Sequence, residues 1–403
     1  MPRLSKILLL VAAVPLVLLT GWVRVIEPAL VKIPGDVNRT NNYAGTVSVF
    51  VDAKTAGDLA TPQDSPMTIL RVTKSVLGET GATTTALRET DTIKLLGQSS
   101  DQTNVFVLDR SSARNLFDER ATAYGSNVNR HGAYFPNLPF GVDNSRRYPI
   151  WNNEAGAIYL MERAGGAETA TINGVKVLRM TGTLPITPVA SYYTNELTKL
   201  GLPAQLTPEQ LQAQFAASGV DPNATATALS QVLPPNDFLT VAGALTNPLP
   251  LKYYTALTGD ARIEPTTGIV VWTHSVKRFF VSPDPASLAL VTQVLDSHSS
   301  DPVVKAVDDY LTTLAKPRAA FTLDYTTNAA SANSMASYAS SQRTKLRLAQ
   351  LYAPAGLLLL LVSLCFGAWW SWRRHQEPPA ESMPPDYIDV RETSTEEREP
   401  AGV

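Results

Sequence analysis

Two long apolar segments, one near each end, constrain this sequence more than any other feature. The first covers residues 7–23 and the second covers residues 355–372. A helix needs about 20 residues to cross the hydrocarbon core of a bilayer, and about 17 is the lower limit. The second segment has the border typical of a membrane helix that ends in the cytoplasm, formed by Trp369, Trp370, Trp372, Arg373 and Arg374. The sequence therefore predicts one transmembrane helix at each end.

The first segment has two interpretations, a retained anchor or a cleaved signal peptide. Signal peptidase requires small residues just before its cut, and the residues after the segment are Trp22, Val23, Arg24 and Val25. Because no small-residue site is evident, we favour the retained anchor.

Basic residues before the first segment and after the second predict that both termini are cytoplasmic. The protein is then a two-pass protein of the cell membrane, with its main domain on the extracytoplasmic side. The tail after the second segment is acidic and rich in proline, so we expect it to be disordered. The predicted parts are a cytoplasmic N-terminus at 1–6, a transmembrane helix at 7–23, an extracytoplasmic α+β domain at 24–354, a transmembrane helix at 355–372 and an acidic tail at 373–403.

The overall composition argues against a nucleic-acid partner, and the single cysteine excludes an intramolecular disulfide and a thiolate cluster. The 403 residues include 34 basic and 36 acidic side chains without a long basic run, so a surface that binds nucleic acid is not expected. The single cysteine, Cys365, lies inside the second apolar segment and can form neither an intramolecular disulfide nor a thiolate cluster.

The middle of the chain alternates between apolar and polar residues as strands do. Period-two patterns begin at Ala44 and recur at 68–76, 83–96 and 103–109, in close succession that favours an antiparallel meander. Asn173-Gly174 predicts a tight hairpin turn, and the 264–268 segment joins a second hairpin.

Helical segments interrupt these strands. Thr207, Pro208 and Gln210 form the signature of a capped helix start, and Asp221-Pro222 predicts another. Residues 285–313 are helical with a break near 300–302, followed by a strand from Arg318 to Tyr325. We expect residues 329–352 to form a helix that continues or hinges at Pro354 into the second apolar segment. The predicted fold class is α+β, a large exported domain with a curved antiparallel sheet and helical inserts.

A loop between about Asn129 and Trp151 is the most distinctive stretch of the middle. It combines glycine, proline and aromatic residues at a density that indicates a rigid loop. Such a loop lines a ligand pocket or an interface, or else packs over a sheet by its own rings. The candidate binding residues are Arg130, His131, Tyr134, Phe135, Phe140, Tyr148 and Trp151.

No catalytic or cofactor motif accompanies this loop. The sequence has neither a nucleophile elbow nor a phosphate loop nor a dinucleotide fingerprint, and His131 and His274 lack the helical spacing of a zinc site. We therefore expect no enzymatic activity, no cofactor and no metal.

The layout and the loop together resemble a family of actinobacterial membrane proteins of unknown function, which are also labelled PorA-family porins. The resemblance rests on 129–136, Pro139-Phe140-Gly141, 148–151, the 265–268 turn and the terminal helix with its basic end. It implies a protein of the cell envelope that conducts ions across the outer membrane.

Two functions remain open. In the first, the exported domain binds or scaffolds an envelope lipid, glycan or protein; in the second, several chains assemble into a porin or channel. Only Thr20, Ser363 and Cys365 depart from apolar character in the spanning segments, whereas a helical pore needs a polar face. The residues therefore favour the binding function, and the oligomeric state stays open.

Overall fold

The computed structural model describes residues 3–27, 31–52, 57–95, 97–143, 145–165, 169–199, 202–219 and 221–374. The predicted tail beyond Arg374 lies outside these residues. Two compact units make up the chain. The smaller one contains Met1–Val25 and Leu351–Val403, and the larger one contains Ile26–Gln350.

The described strands of the larger unit form one antiparallel sheet. Along it the strands follow the order β6-β5-β4-β3-β2-β1-β14-β13-β12-β10-β8-β7, with β9 paired to β10 and β11 paired to β12. Their bounds are β1 Asn38–Val51, β2 Asp58–Ser75, β3 Thr84–Leu95, β4 Gln98–Asp109, β5 Thr122–Ala123, β6 Ser126–Asn127, β7 Tyr148–Asn152, β8 Ala157–Arg163, β9 Thr169–Ile172, β10 Val175–Pro188, β11 Gln205–Leu206, β12 Leu249–Ile263, β13 Val270–Pro283 and β14 Arg318–Thr327.

Nine helices are described in the two units together. Their bounds are α1 Arg3–Gly21, α2 Ser191–Lys199, α3 Pro208–Ala217, α4 Pro222–Val232, α5 Pro235–Thr246, α6 Pro285–Ser297, α7 Pro302–Leu314, α8 Ala329–Arg347 and α9 Ala353–Arg374. The sheet and these helices confirm the predicted α+β class.

Local chemistry explains where these elements begin and turn. Asn173 and Gly174 have φ values of 46° and 75°, so the β9–β10 hairpin turns where predicted. Thr207 accepts a hydrogen bond from the Gln210 amide while the Gln210 side chain accepts one from the Thr207 amide. This reciprocal cap confirms the predicted start of α3. The 300–302 break is also confirmed, since α7 begins with an Asp301 cap.

Helices α3 to α7 have an apolar core of their own. It contains Leu211, Val241, Leu295 and Leu311, each 1% exposed or less. Two further clusters lie along the sheet, one around Phe106 and Met180 and the other around Phe279 and Leu197. The larger unit therefore contains a sheet and the group of helices α3 to α7. The apolar core of these helices is distinct from the two clusters along the sheet.

The described part of the chain contains one helical run that is long and apolar enough to cross a membrane. It extends over Ala329–Arg374 and includes a π-helical turn at Leu348–Tyr352. The apolar helix at Leu10–Ile26 is shorter than such a membrane-crossing helix. The C-terminal span thus has structural support, and the prediction of two spans stays a prediction.

Gly45 in β1 tests the sheet register. It pairs with Tyr325 of β14, and a Cβ at this position would collide with the backbone of Asp324 and Tyr325. Gly45→Ala should lower the free energy of unfolding by about 2 kcal/mol or more, because overpacking against backbone cannot relax through a rotamer change. Thermal unfolding followed by circular dichroism measures the effect.

The matched control is Gly259→Ala in β12. A Cβ there would meet its nearest neighbour, the Gly182 carbonyl oxygen, at 3.9 Å. Equal melting temperatures for the two variants would contradict the β1–β14 register.

Candidate functional site

The loop around Tyr134 connects two distant parts of the sheet. Tyr134 bridges Arg114 on one side, in the segment that follows β4, and Ile150 of β7 on the other. Its amide donates to the Pro149 carbonyl at 2.8 Å, and its carbonyl accepts from the Trp151 amide at 3.2 Å. The loop thereby continues the backbone hydrogen bonding from the β4 side to the β7 edge.

A turn from the β12–β13 hairpin holds the other half of this loop. The amide of Leu138 donates to the Gly268 carbonyl at 3.0 Å, and the amide of Gly141 donates to the Thr266 carbonyl at 3.0 Å. Gly268 has a φ of 69°, and a Cβ there would collide with the carbonyls of Leu138 and Pro139. The 265–268 turn and the loop, which are remote in the sequence, thus lie together.

Several predicted binding residues have structural roles in this loop. Arg130 is 1% exposed, lies 4.2 Å above the Phe106 ring and donates to the carbonyls of Val105 and Thr122. The Tyr148 hydroxyl accepts from the Asp143 amide at 2.6 Å, and Phe140 packs against the apolar core. These three side chains hold the loop in place, and Phe140 also lines a second cavity.

His131 is exposed and has a φ of 49°. Its ring lies 6.4 Å from the ring of Trp151, centroid to centroid. It is the one predicted binding residue that faces solvent.

The remaining three predicted residues, Tyr134, Phe135 and Trp151, line a cavity of about 170 Å³. The other walls come from strands β1, β2, β3, β4, β8, β12, β13 and β14, so the sheet curls around this central cavity. The Phe135 ring lies 5.0 Å from the Phe106 ring and 5.9 Å from the Arg71 guanidinium, so it connects the loop to the charged part of the lining.

Charged side chains, which the sequence analysis missed, form much of this lining. Arg71 donates two hydrogen bonds to Asp91, at 2.8 and 2.7 Å, and lies 3.6 Å from Glu89. Lys277 forms a partly buried ion pair with Glu154. Arg39, which is 9% exposed, donates to the Asn137 side chain of the loop at 2.9 Å. The loop therefore contacts the charged cluster through Phe135 and Asn137.

Glu89 is a strongly perturbed carboxyl of this cluster. It is 1% exposed, and neither of its carboxylate oxygens accepts a hydrogen bond from a described residue. Burial raises the pKa of Glu89 to about 7, although Arg71 lowers it in part. Burial alone would lower the pKa of Arg71, but Asp91 and Glu89 raise it well above its ordinary value. The cluster therefore contains the Arg71–Asp91 ion pair beside Glu89, a carboxyl whose pKa lies near neutrality.

A signal for this cluster is present in the strand pattern. In β3, Leu87, Glu89, Asp91 and Ile93 occupy alternate positions and so share one face. Two carboxylates on a face that also carries Leu87, which is fully buried, indicate an interior polar site.

The geometry of the central cavity is suited to binding. It offers carboxylates, guanidinium groups and side-chain amides around a small space, with aromatic rings on one side. In the described part of the chain, no group of three or more His, Cys, Asp or Glu side chains is arranged to hold a metal ion.

Comparison with known proteins gives one informative result. The model of the family described as Porin PorA matches residues 4–370. No curated protein matches the chain. A similar solved chain is the conserved protein of unknown function with a hot dog fold from Alicyclobacillus acidocaldarius, at 10% identity over 74% of this chain and 83% of that chain. Its TM-score is 0.10, which carries no argument about fold or function.

The raised pKa of Glu89 predicts how stability depends on pH. The folded state keeps its proton at pH values where the unfolded chain, with a carboxyl pKa of 4.5, has lost it. The free energy of unfolding should therefore fall as pH rises from about 5 to about 8. Glu89→Gln should reduce this fall and be more stable than the unaltered protein at the upper pH.

Melting temperatures across this pH range measure the effect, with the exposed Glu119→Gln as the control for loss of one carboxylate. Parallel pH profiles for the two variants would show that Glu89 does not titrate in this range.

Proposed function

The chain belongs to the PorA porin family, and on that premise we propose that it is a membrane-anchored protein of the cell envelope whose large domain binds an envelope component. The observation that carries this proposal is the charged central cavity. We assign the ligand to the glycan class, that is, to small molecules or headgroups rich in hydroxyl groups.

The hydrogen-bonding inventory of the cavity supports this class. Among the atoms of its lining that have no hydrogen-bond partner in the described residues, six are acceptors and two are donors. The acceptors are Glu89 Oε1 and Oε2, Asn41 Oδ1, Asn104 Oδ1, Asn153 Oδ1 and Asp260 Oδ1, and the donors are Arg39 Nε and Trp151 Nε1. An unsatisfied buried polar group costs about 1–3 kcal/mol. A ligand that supplies hydroxyl donors recovers part of this cost, and an aromatic ring such as Trp151 gives it an apolar surface.

The membrane topology is part of the same proposal. The smaller unit exposes large apolar side chains that water would solvate poorly, including Leu10 at 76%, Val17 at 70% and Leu359 at 68%. Within this unit α1 packs against α9, where the small residues Ala12 and Ala368 are buried. These features support two spans. The basic residues before the first segment and after the second add the orientation we propose, with both termini in the cytoplasm and the larger unit outside.

Channel formation by several chains is the second candidate. The family description favours it, and an ionised lining inside a sheet is compatible with an ion path. The central cavity, however, places Arg71 against Asp91 and Lys277 against Glu154, so most of its charge is compensated. Loop residues 134–138 also occupy one wall of the cavity. We therefore propose ligand binding rather than ion conduction as the function.

Ligand binding can be tested on the full-length protein in neutral detergent. Neutral mono- and disaccharides should raise its melting temperature in a saturable way, because they bind the folded state alone. Glu89→Gln should weaken the best of these ligands by about tenfold, the effect of losing one strong hydrogen bond to a charged acceptor. Glu119→Gln is the surface control. Identical affinities for the two variants would remove the central cavity from the proposal.

Planar-bilayer recordings with the same preparation separate the two candidates. The binding function predicts no unitary conductance steps. Reproducible steps whose size changes in Glu89→Gln would establish the channel instead.

A further inference from the structure

A second cavity lies in the larger unit, close in sequence to both apolar segments. Its volume is about 300 Å³. One wall is formed by Lys32, Ile33 and Pro34, which follow the first apolar segment, and another by Lys345, Leu346 and Leu348, which precede α9. We call it the juxtamembrane cavity.

The charge of this lining has one sign. Its ionisable side chains are Lys32, Arg39, Arg110 and Lys345, together with Tyr338, and no carboxylate lines the cavity. The pKa of Tyr338 is raised by its burial, so this phenol is neutral and adds no negative charge.

None of the four cations is paired with a carboxylate of the described residues. Lys32 donates to the Ala82 carbonyl at 3.0 Å, and Arg110 donates to the carbonyls of Ile33 and Gly81 at 2.8 and 2.9 Å. Arg39 donates to an amide oxygen, that of Asn137. Neutral acceptors orient Lys32 and Arg110 but leave their positive charge uncompensated.

Three carboxylates act near the cavity without lining it. Glu89 acts on Arg39 through space and so offsets part of the charge of that one cation. Asp36 is exposed and acts on Tyr338 through space. Glu264 is 1% exposed, accepts hydrogen bonds from Thr267 and lies 3.9 Å from Arg343. The excess positive charge of the lining therefore remains.

Apolar side chains form most of the rest of the lining, beside the polar Asn137, Thr267 and Gln342. Ile33, Leu138 and Leu346 are buried, while Leu348 is 59% exposed. Basic groups beside an exposed leucine, at a site close in sequence to a membrane helix, match an anionic amphiphile at the membrane surface.

We propose that the juxtamembrane cavity binds an anionic membrane phospholipid. Lys32, Arg110 and Lys345 hold the phosphate of its headgroup, and Leu346 and Leu348 contact its acyl chain. The occupant is a lipid and not free phosphate because apolar side chains form a large part of the lining. This site is separate from the proposed function, although Arg39, Asn137 and Leu138 line both cavities.

The test measures binding of dioctanoyl phosphatidylglycerol to the full-length protein in neutral detergent by isothermal titration calorimetry. Dioctanoyl phosphatidylcholine and inorganic phosphate are the comparison ligands. The double variant Lys32→Gln/Lys345→Gln changes only residues outside the central cavity, and the affinity for phosphatidylglycerol should fall about thirtyfold. The control, Lys94→Gln/Lys252→Gln, removes two exposed lysines elsewhere and should bind as the unaltered protein does.

Leu348→Ser tests the apolar part. It should weaken phosphatidylglycerol while leaving any phosphate binding unchanged. Equal affinity of the double variant and its control, equal binding of phosphatidylcholine, or binding of phosphate as tight as that of phosphatidylglycerol would each overturn the proposal. Melting temperatures within a few degrees of the unaltered protein establish that the variants are folded, and the saccharide measurements on Glu89→Gln stay independent of all three outcomes.

Discussion

The backbone hydrogen bonds of Tyr134 hold the interior of this protein together. The Tyr134 amide and carbonyl pair with β7, and the neighbouring Ala133 carbonyl accepts from the Asn115 amide on the β4 side. Because these bonds carry the loop across the curled sheet, Phe135 lies over Arg71 and Asn137 meets Arg39. Without the loop, the charged cluster would face water and its ion pairs would contribute little.

Burying such a cluster is costly, and its retention suggests a function. Two charges removed from water lose more solvation than a simple ion pair restores, so an apolar core would be the more stable arrangement. The Arg71–Asp91 pair, the Lys277–Glu154 pair and Glu89 instead surround a small cavity. Glu89 lies beside Arg71 but accepts no hydrogen bond from a described residue. This pattern is consistent with a site shaped for a polar ligand. Membership of the PorA porin family places that site in a membrane protein without deciding between binding and conduction.

Much of the fold was predictable from the sequence because local chemistry determines it. The reciprocal cap of Thr207 and Gln210, the Asn173-Gly174 turn and the long alternating strands all act over a few residues. The candidate site was less predictable. Glu89 and Asp91 share a strand face with the buried Leu87, which is a signal in the sequence. Their partner Arg71 is identified only by the β2–β3 register. Arg130 shows the converse case, a predicted binding residue with a structural role. A loop arginine that donates hydrogen bonds to backbone carbonyls cannot be distinguished by sequence from one that binds a ligand.

Amide hydrogen exchange in the larger unit tests the closed loop most directly. If the loop completes the hydrogen bonding between β4 and β7, the amides of Tyr134 and Trp151 should exchange as slowly as those of the central strand β1. Mass spectrometry of peptides from the loop, recorded on the full-length protein in detergent, distinguishes a loop that completes this hydrogen bonding from one that does not. Protection of both amides at the level of β1 is the expected result. Exchange at the rate of the amide of the exposed Asn129 would show that the loop does not close over the charged cluster, and the central cavity would then not exist as described.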